Sequence, residues 1–154
     1  MKLELKNIKH TAWASQETHC YQASLYVDGK PVAIVSNDGH GGADRDYPHP
    51  KLKGDYRAQM RDVSRYFSGL RRTAVTEWSP EGMEQCLEFW CADQVNDWLS
   101  ARELKSKLRK EFLFQFADRV GVFAHKTRPS RAHKVIILND LPFDEALSIW
   151  KETA

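Results

Sequence analysis

A chain of 154 residues with 42% apolar and 29% charged side chains can bury a core of its own and is too apolar to stay disordered. Its net charge of +2 excludes a uniformly basic or acidic polypeptide, and no stretch approaches the roughly 20 apolar residues of a membrane span. Cys20, Cys86 and Cys91 are odd in number and fit no disulfide framework, so they read as free thiols in a reducing compartment.

The N-terminal Met1 to Lys6 alternates charge with leucine and lacks the apolar run of a signal peptide, so a cytoplasmic location is expected. Leu3, Leu5 and Ile8 begin a strand, and Cys20 to Val27 is a second, rich in aromatic and β-branched residues. Asp28-Gly29 is a hairpin signal because both positions tolerate positive φ, and Pro31 to Val35 returns as the partner strand. Ser36 to Asp55 holds four Gly, two Pro and no apolar period, so it is expected to be a long loop, a place where function concentrates.

From Tyr56 to Leu70 the spacing predicts an amphipathic helix, with Tyr56, Met60, Val63, Phe67 and Leu70 on one face. Ser79-Pro80-Glu81 has the form of a helix start, with Met83, Cys86, Leu87, Trp90, Cys91 and Trp98 as its buried stripe. Ser100 to Glu103 reads as a capping box, hence a fresh start or kink, with helix continuing to about Lys110. Strand character returns at Phe112 to Phe116, Val120 to Ala124 and Lys134 to Leu138, with a turn at Asp118-Arg119 and a basic loop from Lys126 to His133. A last helix follows Asn139 to Pro142 and turns Phe143, Leu147 and Trp150 inward. Strands and helices come in blocks, so the expected class is α+β, not a doubly wound parallel sheet. The expected architecture is a single domain, residues 1–154: an antiparallel sheet of N-terminal meander plus C-terminal strands, with helices on one face.

Charge is segregated. Thr73 to Ala101 has six acidic residues and no Lys or Arg; Arg102 to Lys134 has ten basic residues against three acidic ones. Glu77, Glu81, Glu84 and Glu88, at i, i+4, i+7 and i+11, would form an acidic helical ridge suited to a basic groove on a partner. Arg57, Arg61, Arg65 and Arg72, with Lys105, Arg109, Lys126, Arg128 and Arg131, would form a basic surface for nucleic-acid phosphates.

Chemistry-bearing groups are fewer. His40, Asp44, Asp46 and His49 are metal-ligand types within ten residues, a basis for metal-dependent hydrolysis, but the spacing matches no established site. Equally, they could contact a partner. Gly39, Gly41 and Gly42 lack the lysine and hydroxyl of a phosphate-binding loop. Cys20 and His19 are adjacent and, on a strand, point to opposite faces, which disfavours a thiolate–imidazolium pair. Cys86 and Cys91 diverge by about 140° on a helix and make no zinc knuckle. No cofactor or metal is expected, and non-enzymatic action is favoured.

The run A-S-Q-E-T-H-C-Y-Q-A-S-L-Y-V-D-G-K followed by V-S-N-D-G-H-G-G-A-D, with N-D-L-P-F-D-E-A-L near the end, resembles small, mostly uncharacterised proteins encoded by bacteriophages and plasmids of proteobacteria. The likeness covers Ala14 to Asp44 well, Asn139 to Trp150 moderately and the middle poorly. No activity is established for that family, so it transfers no residue roles. A mobile-element origin implies an anti-defence protein, anti-CRISPR-like, that inhibits a bacterial defence complex by stoichiometric binding. Its partner would be a protein or ribonucleoprotein in the host cytoplasm. The alternatives are a nucleic-acid-binding accessory protein and a metal-dependent hydrolase.

Overall fold

A computed structural model describes residues 1–73, 79–130 and 135–153. The chain forms two compact units, Met1–Val95 and Asn96–Ala154. Among the described residues seven strands and three α-helices give the α+β class, the strands dividing between two antiparallel sheets.

The first unit is built on strands β1 (Leu3–His10), β2 (Tyr21–Val27), β3 (Lys30–Asn37) and β4 (Arg45–Pro48), adjacent in chain order. Asp28 and Gly29 both take positive φ, 49° and 79°, so the two-residue turn matches the twist of β2 and β3. Asp28 also ties down β1, accepting the Lys2 amide on Oδ1 at 2.7 Å and donating its own amide to the Lys2 carbonyl at 2.8 Å. Ala23, Leu25, Val32, Ala33, Ile34 and Val35 are buried, with Val63 and Phe67 from helix α1 (Tyr56–Ser68). Asp55 caps α1, its carboxylate accepting the Ala58 amide at 2.9 Å.

Three local expectations are corrected. Arg45–Pro48 is not loop but a fourth strand, pairing Ser36 with Arg45 through to Ala33 with Pro48. All four of its residues are exposed, so no hydrophobic alternation announces it, and Pro48 is tolerated because β4 is an edge. Ser79-Pro80-Glu81 does not open a helix. It is a β-turn closed by Gly82, whose amide bonds the Ser79 carbonyl at 3.0 Å; Gly82 then takes φ +69°, with Met83 exposed beyond it. Helix α2 (Leu87–Leu108) starts later and runs unbroken through Ser100–Glu103. Interrupting it there would orphan up to four C=O groups where the first segment ends and four N–H groups where the second begins, which one capping box cannot offset.

In the second unit, β5 (Phe112–Phe116) lies between β6 (Phe123–His125) and β7 (Val135–Ile137), and α3 (Phe143–Thr153) ends the fold. The strand expected at Val120 begins later because Gly121 takes φ +112° and Val120 is 93% exposed. Leu104, Leu113, Leu138, Ala146 and Trp150 form the core, and Phe143 and Leu147 pack against it as expected. Asn139 holds the end of α2 to β5, donating to the Leu108 and Glu111 carbonyls at 3.1 Å each and accepting the Leu113 amide at 2.8 Å. Among the described residues no helix is long and apolar enough to cross a membrane. All three cysteines are free.

Candidate nucleic-acid interface

The segment His40 to His49 does not assemble a common site. Asp44 accepts the Tyr21 hydroxyl on one oxygen and the Asn37 amide at 2.9 Å on the other. Asp46 accepts the Tyr56 hydroxyl. His49 Nδ1 takes the Lys51 amide at 3.0 Å, and His40 is exposed. Asp44, Asp46 and His49 each serve a local partner, and among the described residues no three His, Cys, Asp or Glu side chains are grouped to hold a metal ion.

Beneath this segment the polar atoms satisfy one another. Thr18 donates to Asn37 Oδ1 at 2.7 Å, which also accepts the Gly39 amide at 2.8 Å, and the Gly39 carbonyl receives the amides of Gln16, Glu17 and Thr18. Burial, then the neighbouring Cys91 thiol and Asp44, push the Tyr21 hydroxyl well above the usual phenol range. Burial and the Asp44 charge push the Cys91 thiol up to about 12. Neither ionises near neutral pH, so neither is an activated nucleophile.

Ser15 is similarly committed. Its hydroxyl donates to the Thr11 carbonyl at 2.9 Å and accepts the Cys20 amide at 2.9 Å. With its one proton on Thr11, the contact to His10 Nε2 at 3.2 Å has His10 as the donor, the reverse of a general base.

The acidic ridge does not form. Glu81 and Glu84 precede α2, Glu84 pairs with Arg72 at 3.2 Å, Glu88 alone lies on the helix, and Glu77 is outside the described residues. The arginine stripe survives in part. Arg57, Arg61 and Arg65 line the exposed side of α1, Arg65 pairing with Asp62 at 2.9 Å. Arg72 lies past the helix end and clamps the S-P-E-G turn, donating to the Glu81 and Gly82 carbonyls. Arg128 pairs with Asp140, Lys126 is exposed, and Arg131 is outside the described residues.

Lys105 and Arg109 are different. With Trp98 and Arg102 they are spaced i, i+4, i+7 and i+11; Trp98, Arg102 and Lys105 share one face of α2, and Arg109 follows in the turn just past its end. These four and Lys110, over the small side chains Ala101 and Ser106, line a groove of about 550 Å³ with no carboxylate in its wall. The Arg102 guanidinium lies 5.2 Å over the Trp98 ring, and the Lys105 ammonium 4.8 Å over Phe143. Among the described residues none of the four cations has a carboxylate partner, while Lys107, off this face, pairs with Glu103 at 3.8 Å. Sequence reasoning found Lys105 and Arg109 but took Arg102 into a capping box and Trp98 into the core. Both join Lys105 on one face only because α2 runs unbroken through Ser100 to Glu103. In comparisons with known proteins, no family model, curated protein or solved structure matches this chain.

Proposed function

We propose that this chain is a non-enzymatic nucleic-acid-binding protein that holds a phosphate backbone along α2. The observation that carries this reading is the groove lined by Arg102, Lys105, Arg109 and Lys110, free of carboxylates and bounded by Trp98. Four cations within about 12 Å at the end of α2 and the turn after it concentrate positive charge on the scale of successive phosphates, and Trp98, with Arg102 over its ring, adds aromatic surface beside them. The committed protons of Ser15, Tyr21 and Cys91 favour binding over covalent catalysis.

Fluorescence anisotropy with a labelled duplex tests it. Binding at about 50 mM salt is expected to weaken with a log–log salt slope of roughly −3 to −4, from four phosphate contacts at about −0.9 each. Arg109→Ala should flatten that slope by about one. Absence of binding at low salt, or an unchanged slope in the triple variant Arg102→Ala, Lys105→Ala, Arg109→Ala, would overturn it.

A second reading, stoichiometric inhibition of a bacterial defence complex, is supported by Trp13. It is 87% exposed in the short turn Ala12–Ala14, the kind of aromatic anchor that dominates protein interfaces. Under this reading Trp13→Ala abolishes capture of one host complex from lysate, and equal capture by both proteins counts against it.

A further inference from the structure

The four-stranded sheet has two unlike faces. Tyr21, Ala23, Leu25, Ala33 and Val35 alternate onto one, where Tyr56 of α1 reaches Asp46, the residue opposite Val35, and Cys91 of α2 reaches Tyr21. Across the other face, Lys9 lies opposite Gln22, Gln22 opposite Ser36, and Ser36 opposite Arg45. The adjoining row is Lys6, Ser24, Ile34 and Tyr47. The β1 register shifts between Lys6 and Lys9, where Asn7 takes φ 55°. Without that bulge, strict alternation would put Ile8 on this face and turn Lys9 away. The irregularity therefore adds a second lysine to the row.

Ser24 and Ile34 are buried within this face, and the side chains exposed around them are mostly cationic. Lys6, Lys9, Gln22, Arg45 and Tyr47 are exposed, and a depression of about 370 Å³ lies over the first row. Two carboxylates border it, each already engaged. Asp38 holds Arg45 at 3.3 Å, and Glu4 holds Lys2 at 3.4 Å and Lys6 at 3.9 Å. Such exposed pairs are weak enough for a phosphate to displace. Lys9 has no carboxylate partner among the described residues. The Tyr26 ring is covered by Lys6 at 4.4 Å and meets His49 edge-on, which leaves Tyr47, 46% exposed, as the available ring.

We propose that this sheet face binds single-stranded nucleic acid, one base stacking on Tyr47 and the flanking phosphates meeting Lys9, Lys6 and Arg45. Gln22 and Ser36 offer an amide and a hydroxyl to base edges. A duplex stacks its bases on each other and offers no ring face to Tyr47, so the ligand is unpaired. A protein partner would call for an apolar centre, and this face exposes one tyrosine among cations and polar groups. The surface belongs to the N-terminal unit, and the inference shares with the α2 groove only the class of ligand.

Anisotropy titrations of the full chain with labelled dT20, U20 and a 20-base-pair duplex test it. Tyr47→Ala should weaken single-strand binding roughly 5- to 100-fold and leave duplex binding unchanged, with Tyr47→Phe restoring it. Lys9→Ala should flatten the single-strand salt slope by about 0.7. The tighter of dT20 and U20 tells whether DNA or RNA is the ligand. Unaltered single-strand binding by Tyr47→Ala, or none by the wild type at low salt, overturns the assignment. Loss of duplex binding in the α2 triple variant with Tyr47→Ala silent upholds the groove and sinks this site; the opposite pattern does the reverse.

Discussion

Gly39 shows how much one position can carry. It takes φ +87°, and a Cβ there would lie 2.0 Å from the Ala14 carbonyl oxygen. Its own carbonyl gathers three amides from Gln16 to Thr18. Gly39→Ala is expected to cost at least about 2 kcal/mol, a fall in melting temperature of roughly 4–8 °C for a chain this size, read by thermal denaturation. That this glycine relieves a tight turn is legible in the sequence. That it does so against Ala14, twenty-five residues away, is not, because local composition says nothing of which backbone comes near. The same holds for His40, Asp44, Asp46 and His49. Their side-chain types suggest a metal site, and only the positions of Tyr21 and Tyr56 show both carboxylates engaged by hydroxyls.

Among elements, strong periodicity was readable and weak periodicity was not. The β2–β3 hairpin, α1, β5 and α3 follow directly from alternation, helical spacing and turn residues. Strand β4 could not, since pairing with β3 rather than burial makes it a strand. S-P-E-G suits a helix start as well as a β-turn until Gly82 adopts positive φ. Part of the basic surface was legible by residue type, but Arg102 and Trp98 emerged only once α2 proved continuous. The Asn139 clamp bears on the same helix. Asn139→Ala removes three hydrogen bonds and orphans the Leu113 amide, and is expected to destabilise the chain by about 2–3 kcal/mol in urea titration.

Stability of the whole molecule should depend on alkaline pH. The Cys91 thiol, ordinarily at 9.0, is pushed up to about 12 by burial. Between those values the folded chain keeps a proton that the unfolded chain has released, so stability is full below pH 9 and falls as pH rises toward 12. Tyr21, raised in the same sense, adds to the fall above pH 10. Urea midpoints measured at about pH 8 and about pH 10 should drop, and Cys91→Ala should flatten the decline. A midpoint independent of pH over that range would show that the thiol is not protected by the fold.

The β1 bulge has a consequence for behaviour in concentrated solution. β1 and β4 are the outer strands of the four-stranded sheet, with backbone groups that another copy could pair. A kink at Asn7 and lysines at positions 2, 6 and 9 spoil β1 as a template, while β4 is four residues long and ends at Pro48. Deleting Asn7 would straighten the outer strand, leaving Ile8 opposite Ala23 on the face away from Lys6 and Lys9 and the backbone of β1 regular enough for another copy to pair with. The expected product is fibrillar polymer, visible as rising light scatter and thioflavin fluorescence, where the parent chain stays clear.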